Sequence, residues 1–77
     1  MAKYRIKTFR GYSYKSTYES ALQAAKDMIL DIIVDGRPVK DWWAIIYRQD
    51  DEEHVATIHA PKVGQWYIVK ALRDFQK

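Results

Sequence analysis

The 77-residue chain has no cysteine, which removes disulfides, thiolate zinc sites and cysteine nucleophiles at once and fits an intracellular setting. Stability must come from packing, and chains below about 80 residues need very efficient packing, a staple or oligomerisation. Long hydrophobic runs are missing too. Met28 to Leu30 and Ile32 to Val34 are interrupted by Asp31 and Asp35, whereas a membrane span needs about 20 apolar residues. The N-terminus, Met1-Ala2-Lys3-Tyr4-Arg5, carries charge with no apolar region after it, so no secretory signal is expected. The expected compartment is the cytoplasm, with no membrane contact. There is no internal repeat, linker or low-complexity segment. No catalytic, metal or cofactor motif stands out, so no cofactor is expected.

Acidic residues are absent from the first sixteen positions. Lys3, Arg5, Lys7, Arg10 and Lys15 lie there, five of the chain's 13 basic residues, while all 10 acids come later. A basic arm attracts phosphate through counterion release, which makes these five residues the candidate nucleic-acid contacts. From Lys3 to Thr8 charged and uncharged side chains alternate, the period of a half-buried strand. The competing reading of Lys3, Arg5 and Lys7 is a charged edge strand guarded against aggregation. Gly11 admits a bend, after which Tyr12 to Lys15 either continues the strand or folds back.

Ser16-Thr17-Tyr18-Glu19 matches a capping box with Ser16 as the cap, and a helix is expected to follow. Its apolar stripe runs through Tyr18, Leu22, Ala25, Ile29 and Ile32, widened by Ala21, Met28 and Ile33. Glu19, Gln23, Asp27, Asp31 and Asp35 form a mostly acidic ridge opposite. Asp31 and Asp35 fall near the negative end of the helix dipole, where Arg37 or Lys40 can offset them. Gly36 and Pro38 end the helix. The alternative for Ile29 to Val34 is a strand turning at Asp35-Gly36.

Trp42 to Gln49, His54 to Ala60 and Gln65 to Ala71 read as strands with apolar residues on both faces. Leu72 to Lys77 forms a short helix or frays. Pairing Gln49 with His54 places Trp43, Ile45 and Tyr47 with Ala60, Ile58 and Ala56 on one face, joined by Tyr67, Val69 and Ala71, and the helix is expected there. The reverse face then holds Trp42, Ala44, Ile46, Arg48, Val55, Thr57, His59, Trp66, Ile68 and Lys70. A small domain seldom leaves such a surface bare. Trp42, Ile46, Arg48, His59, Trp66, Ile68 and Lys70 are therefore the candidate protein interface. The competing reading makes them ordinary core.

His54 and His59, five apart on a strand, are expected on opposite faces, where they cannot share a metal. Asp50 to Glu53 lacks the glycine and the oxygen spacing of a calcium loop, so no metal site is expected.

Ser16 to Val39, STYESALQAAKDMILDIIVDGRPV, resembles the helix of HicB-type antitoxin domains, with a similar strand-to-helix entry and Asp-Gly-x-Pro exit; the strand hairpin of that family before the helix is not legible here. Trp43 to His59, WAIIYRQDDEEHVATIH, resembles the central hairpin of RelE/ParE-type toxins, which implies RNA cleavage or gyrase blocking, though their basic strand-end signature is missing. A helix before three antiparallel strands is similar in topology to double-stranded-RNA-binding domains, without their basic second helix. These resemblances imply different folds and none is adopted.

The expected fold is one α+β domain in the order strand, helix, strand, strand, strand, with the helix packed on one face of an antiparallel sheet. The expected function is non-enzymatic binding of a protein partner or a second copy, as in small regulators or inhibitors of the kind phages and other mobile elements encode. Nucleic-acid binding through the basic strand and sheet aromatics is the second choice, and a toxin-like ribonuclease the third.

Overall fold

Thr8 turns the chain where the sequence leaves its course open. Its hydroxyl donates to the Gly11 carbonyl at 3.3 Å and accepts from the Arg10 amide at 3.2 Å. Gly11 takes φ +138°, a conformation that a side chain would oppose. Tyr4–Thr8 (β1) and Gly11–Lys15 (β2) are thus an antiparallel hairpin. The computed structural model describes residues 2–69, so Lys70, Ala71 and the Leu72 to Lys77 tail lie outside the described residues. After the hairpin come a helix, Tyr18–Val34 (α1), and strands Trp43–Arg48 (β3), Glu53–Lys62 (β4) and Gln65–Val69 (β5). The α+β class with one helix on an antiparallel sheet is as expected. The order is corrected to strand, strand, helix, strand, strand, strand, because the Gly11 segment folds back instead of extending the first strand.

The helix starts one residue later than the capping box suggests. Thr17, not Ser16, is the cap: the Ser20 amide donates to its hydroxyl at 3.1 Å, and the Thr17 amide donates to the Ser20 hydroxyl at 3.3 Å. Ile29 to Val34 is helical, against the strand alternative. Asp35 at the helix end is offset from another quarter than expected, by Arg10 of the hairpin turn at 2.8 Å. Arg37 instead pairs with Asp41 at 2.9 Å and lies over the Phe9 ring.

The sheet order is β2-β1-β3-β4-β5, antiparallel throughout. Thus β1 is an interior strand, which rules out a charged edge for Lys3, Arg5 and Lys7. The register differs from expectation as well. Arg48 pairs with Glu53 and Tyr47 with His54, and an irregularity at Val55 then brings Ile46 opposite Ala56 and Ala44 opposite Ile58. A one-residue slip changes which side chains share a face.

Ala44 and Ile46 therefore face α1 together with Ile6, Ala56, Ile58 and Ala60, and Ala21, Ala25 and Ile29 join them in one cluster from the helix; all of these, and Ile32 further along the helix, are fully buried. Each isoleucine there contributes roughly 1.5–3 kcal/mol by leaving water. The small residues decide the orientation. Ala21 and Ala25 on the helix side of the core and Ala44, Ala56 and Ala60 on its sheet side leave room for a close approach, whereas Trp43, Ile45 and Tyr47 facing the helix would prop it away. The expected helix-facing side of β4 is correct, and those of β3 and β5 are reversed.

Ile46→Ala should lower the free energy of unfolding by about 2–5 kcal/mol, and Ile45→Ala by clearly less. Urea denaturation of the two variants checks this; an equal or larger loss at Ile45 would put the wrong side of β3 under the helix.

Candidate functional site

The sheet face away from α1 is left uncovered by the described residues, and strand pairing lays it out in three transverse rows. The first runs Tyr14, Arg5, Tyr47, His54 across β2, β1, β3 and β4. The second runs Tyr12, Lys7, Ile45, Thr57, Val69, across all strands. The third is a line of rings, Trp43, His59 and Tyr67, on β3, β4 and β5. Neighbours within a row sit one strand spacing apart, about 4.8 Å, and successive rows about 7 Å apart. Tyr12, Tyr14 and Tyr67 are 56%, 52% and 61% exposed. Trp43, Ile45 and Tyr47 are half-buried among them.

Arg5 organises the first row. Its guanidinium lies 4.9 Å from the Tyr47 ring centre and 5.6 Å from that of Tyr12, a cation–π geometry. It also donates to both carboxylate oxygens of Glu52, at 3.5 and 3.2 Å. No strand position on this face is acidic; Glu52 reaches it from the β3–β4 turn. Among the described residues neither Lys3 nor Lys7 makes an ion pair, so both ammonium groups are available to an anion. The acids of Glu19, Asp27, Asp31 and Asp35 lie on the exposed side of α1. The molecule therefore presents an acidic helix on one side and a basic, aromatic sheet on the other.

The two histidines share this face, contrary to the expectation from their spacing. The irregularity at Val55 adds one residue between them, restoring His54 to the side of Tyr47. The two rings are 5.8 Å apart, and the His54 Nε2 is 2.7 Å from the Thr57 hydroxyl. Among the described residues no group of three or more His, Cys, Asp or Glu is placed to hold a metal ion.

The seven residues expected to form a protein interface are divided. Ile46 is fully buried beneath the helix, and Trp42 and Trp66 pack against the core. The Trp42 indole N–H donates to the Arg37 carbonyl at 2.9 Å. Ile68, paired with Ile58, lies on the helix side at 43% exposure. Arg48 is on the helix side, held by Asp51 and Glu53. His59 alone of the described members occupies the uncovered face, and Lys70 lies outside the described residues. Of the five nucleic-acid candidates, Lys3, Arg5 and Lys7 fall on the uncovered face. Arg10 is bound to Asp35, and Lys15 stands across from Tyr4 on the helix side. Tyr12, Tyr14, Trp43, Tyr47 and Tyr67 were missed as site residues. The signal that could have found them is the alanine pattern of β3 and β4, which marks the opposite face as the one a helix can approach.

The β3–β4 turn that fixes these faces is held by charge. Arg48 donates to Asp51 at 2.9 Å and also to Glu53, and the Glu53 amide donates to the Asp51 carboxylate at 3.1 Å. Glu52 closes the turn at φ 57°. Among the described residues no helix is long and apolar enough to cross a membrane. No family model, curated protein or solved structure matches the chain.

The Arg48 hydrogen bond pulls the Asp51 carboxyl from 3.8 down to about 2, with the Glu53 amide assisting and partial desolvation opposing. A depressed carboxylate pKa stabilises the fold above the ordinary value, and this contribution is lost as pH falls from 3.8 through about 2. Carboxyl NMR titration should show the Asp51 midpoint near the lower value, and Arg48→Gln should return it to the ordinary carboxylate range. An unshifted midpoint in the wild type would remove Arg48 from the turn.

Proposed function

We propose that the protein is a non-enzymatic binding module that takes single-stranded nucleic acid on the uncovered face of its sheet. The observation that carries this reading is the place of the basic strand. Lys3, Arg5 and Lys7 lie on an interior strand whose two edges are both paired, so they do not guard an edge. Arg5 stands between Tyr14 and Tyr47 and Lys7 between Tyr12 and Ile45, with Lys3 directly before the strand. Unstacked bases find ring faces in Trp43, Tyr67 and Tyr12, while Lys3 and Lys7 take backbone phosphates. A duplex keeps its bases stacked inside and cannot use such a platform, which favours single strands. The apolar middle of the second row, Ile45 with Val69, supports docking of a protein partner as the second reading.

The two readings separate by salt. Binding of a fluorescent oligonucleotide should weaken steeply as salt rises, and the joint variant Lys3→Gln/Lys7→Gln should flatten the log–log slope by about 1.4, from roughly 0.7 per lost phosphate contact. Trp43→Ala should weaken binding by about 1–3 kcal/mol without unfolding the protein. Absence of oligonucleotide binding at low salt would overturn the proposal, as would affinity that ignores both salt and the lysines.

A further inference from the structure

We propose that two copies of this chain pair edge to edge through β5, joining their uncovered faces into one platform. An edge strand ordinarily carries a charge, a proline or a bulge that discourages pairing with another chain. Among the described residues β5 has no neighbour on its outer side; Gln65-Trp66-Tyr67-Ile68-Val69 carries neither charge nor proline, the extra residue in its pairing lies on β4, and its three last residues are 61%, 43% and 38% exposed. The other edge differs: β2 opens on Gly11 at φ +138° and ends in Lys15, features that resist extension of a sheet. The helix packs on β1, β2 and β3 and touches β4 lightly, so of the helix-side residues of β5 Trp66 is only partly buried against the core and Ile68 lies beyond the cover at 43% exposure.

A second copy fits this edge because the strand complements itself. Antiparallel pairing centred on Tyr67 puts that residue on the two-fold axis, Trp66 opposite the second copy's Ile68, and Gln65 opposite its Val69. No like charges meet, and each tryptophan gains an aliphatic neighbour on the side that α1 leaves open. The axis stands perpendicular to the sheet, so both helices lie on one side and both uncovered faces on the other. The third row then continues without a break, from Trp43 through His59 and Tyr67 to the second copy's Tyr67, His59 and Trp43. The pairing is independent of what binds the face; the lengthened nucleic-acid platform rests on the function proposed above.

Light scattering on the nucleic-acid-free protein should give twice the chain mass of 9.1 kDa; the single-chain mass throughout the micromolar range would overturn the proposal. Tyr67→Lys sets two ammonium groups against each other on the axis and should yield a folded monomer by circular dichroism and light scattering. Tyr67→Cys brings equivalent positions within about 4.5–5.5 Å, inside the range a disulfide spans, in a chain with no other cysteine. It should oxidise to a covalent dimer, and Gln65→Cys, whose opposite position is Val69, should not. A dimer that survives Tyr67→Lys, or equal cross-linking at both positions, would place the interface elsewhere and overturn the proposal. Failure of oligonucleotide binding alone leaves the dimer mass unchanged, so the two claims fail separately.

Discussion

Ala21 and Ala25 of the helix share one fully buried core with Ala44, Ala56 and Ala60 of the sheet, and this packing of small side chains is the constraint on which the molecule depends. A helix can sink onto a sheet only where side chains are short or interdigitate, and here the isoleucines at 6, 29, 46 and 58 fill the spaces that the alanines leave. Once that face is chosen, period-two alternation sends Trp43, Ile45, Tyr47 and Tyr67 to the other side. The aromatic surface follows from the packing of the core. Tyr4 against Tyr18, edge to face at 6.0 Å, closes one end of this layer, and Trp42 on the Arg37 carbonyl closes another.

A second constraint keeps the pattern in register. Arg48 grips Asp51 and Glu53, Glu52 reaches back to Arg5, and Arg5 in turn stacks on Tyr12 and Tyr47. One charged turn therefore ties β3 and β4 to the basic strand. Among the described residues Lys3 and Lys7 make no ion pair, and Lys7 stands across from the exposed Tyr12. With acids along the exposed side of the helix, the two faces of the domain differ in charge as well as in apolar character.

Much of the fold was legible in the sequence, and what was not has specific causes. The α1 stripe from Tyr18 to Ile32, its end at Gly36 and the three later strands follow from periodicity and turn residues. The hairpin at Phe9-Arg10 was hidden because its driving contact, Thr8 bonding across the turn, is a side-chain event with no compositional mark. The reversed face of β3 stems from one extra residue at Val55 and a tighter turn after Arg48, and that of β5 from a second irregularity in the β4–β5 pairing between His59 and Lys62. These are local backbone events, and a slip of one position inverts a face. Apolar residues on both sides of β3 gave alternation nothing to discriminate, so only the size of Ala44, Ala56 and Ala60 carried the answer. The site inherited that error: Ile46 was assigned to the bare face, whereas Lys3, Arg5 and Lys7 were correctly singled out as basic but given an edge position that only the sheet order could correct.

We propose that the aromatic sheet face, left uncovered by the described residues, receives an anionic chain. Amide and indole chemical-shift mapping during titration with a short single-stranded RNA tests this most directly. The predicted shifts fall on Lys7, Trp43, His59 and Tyr67, and the exposed side of α1 at Glu19, Asp27 and Asp31 stays unperturbed. Shifts confined to the helix, or none at any residue of the three rows, would contradict it.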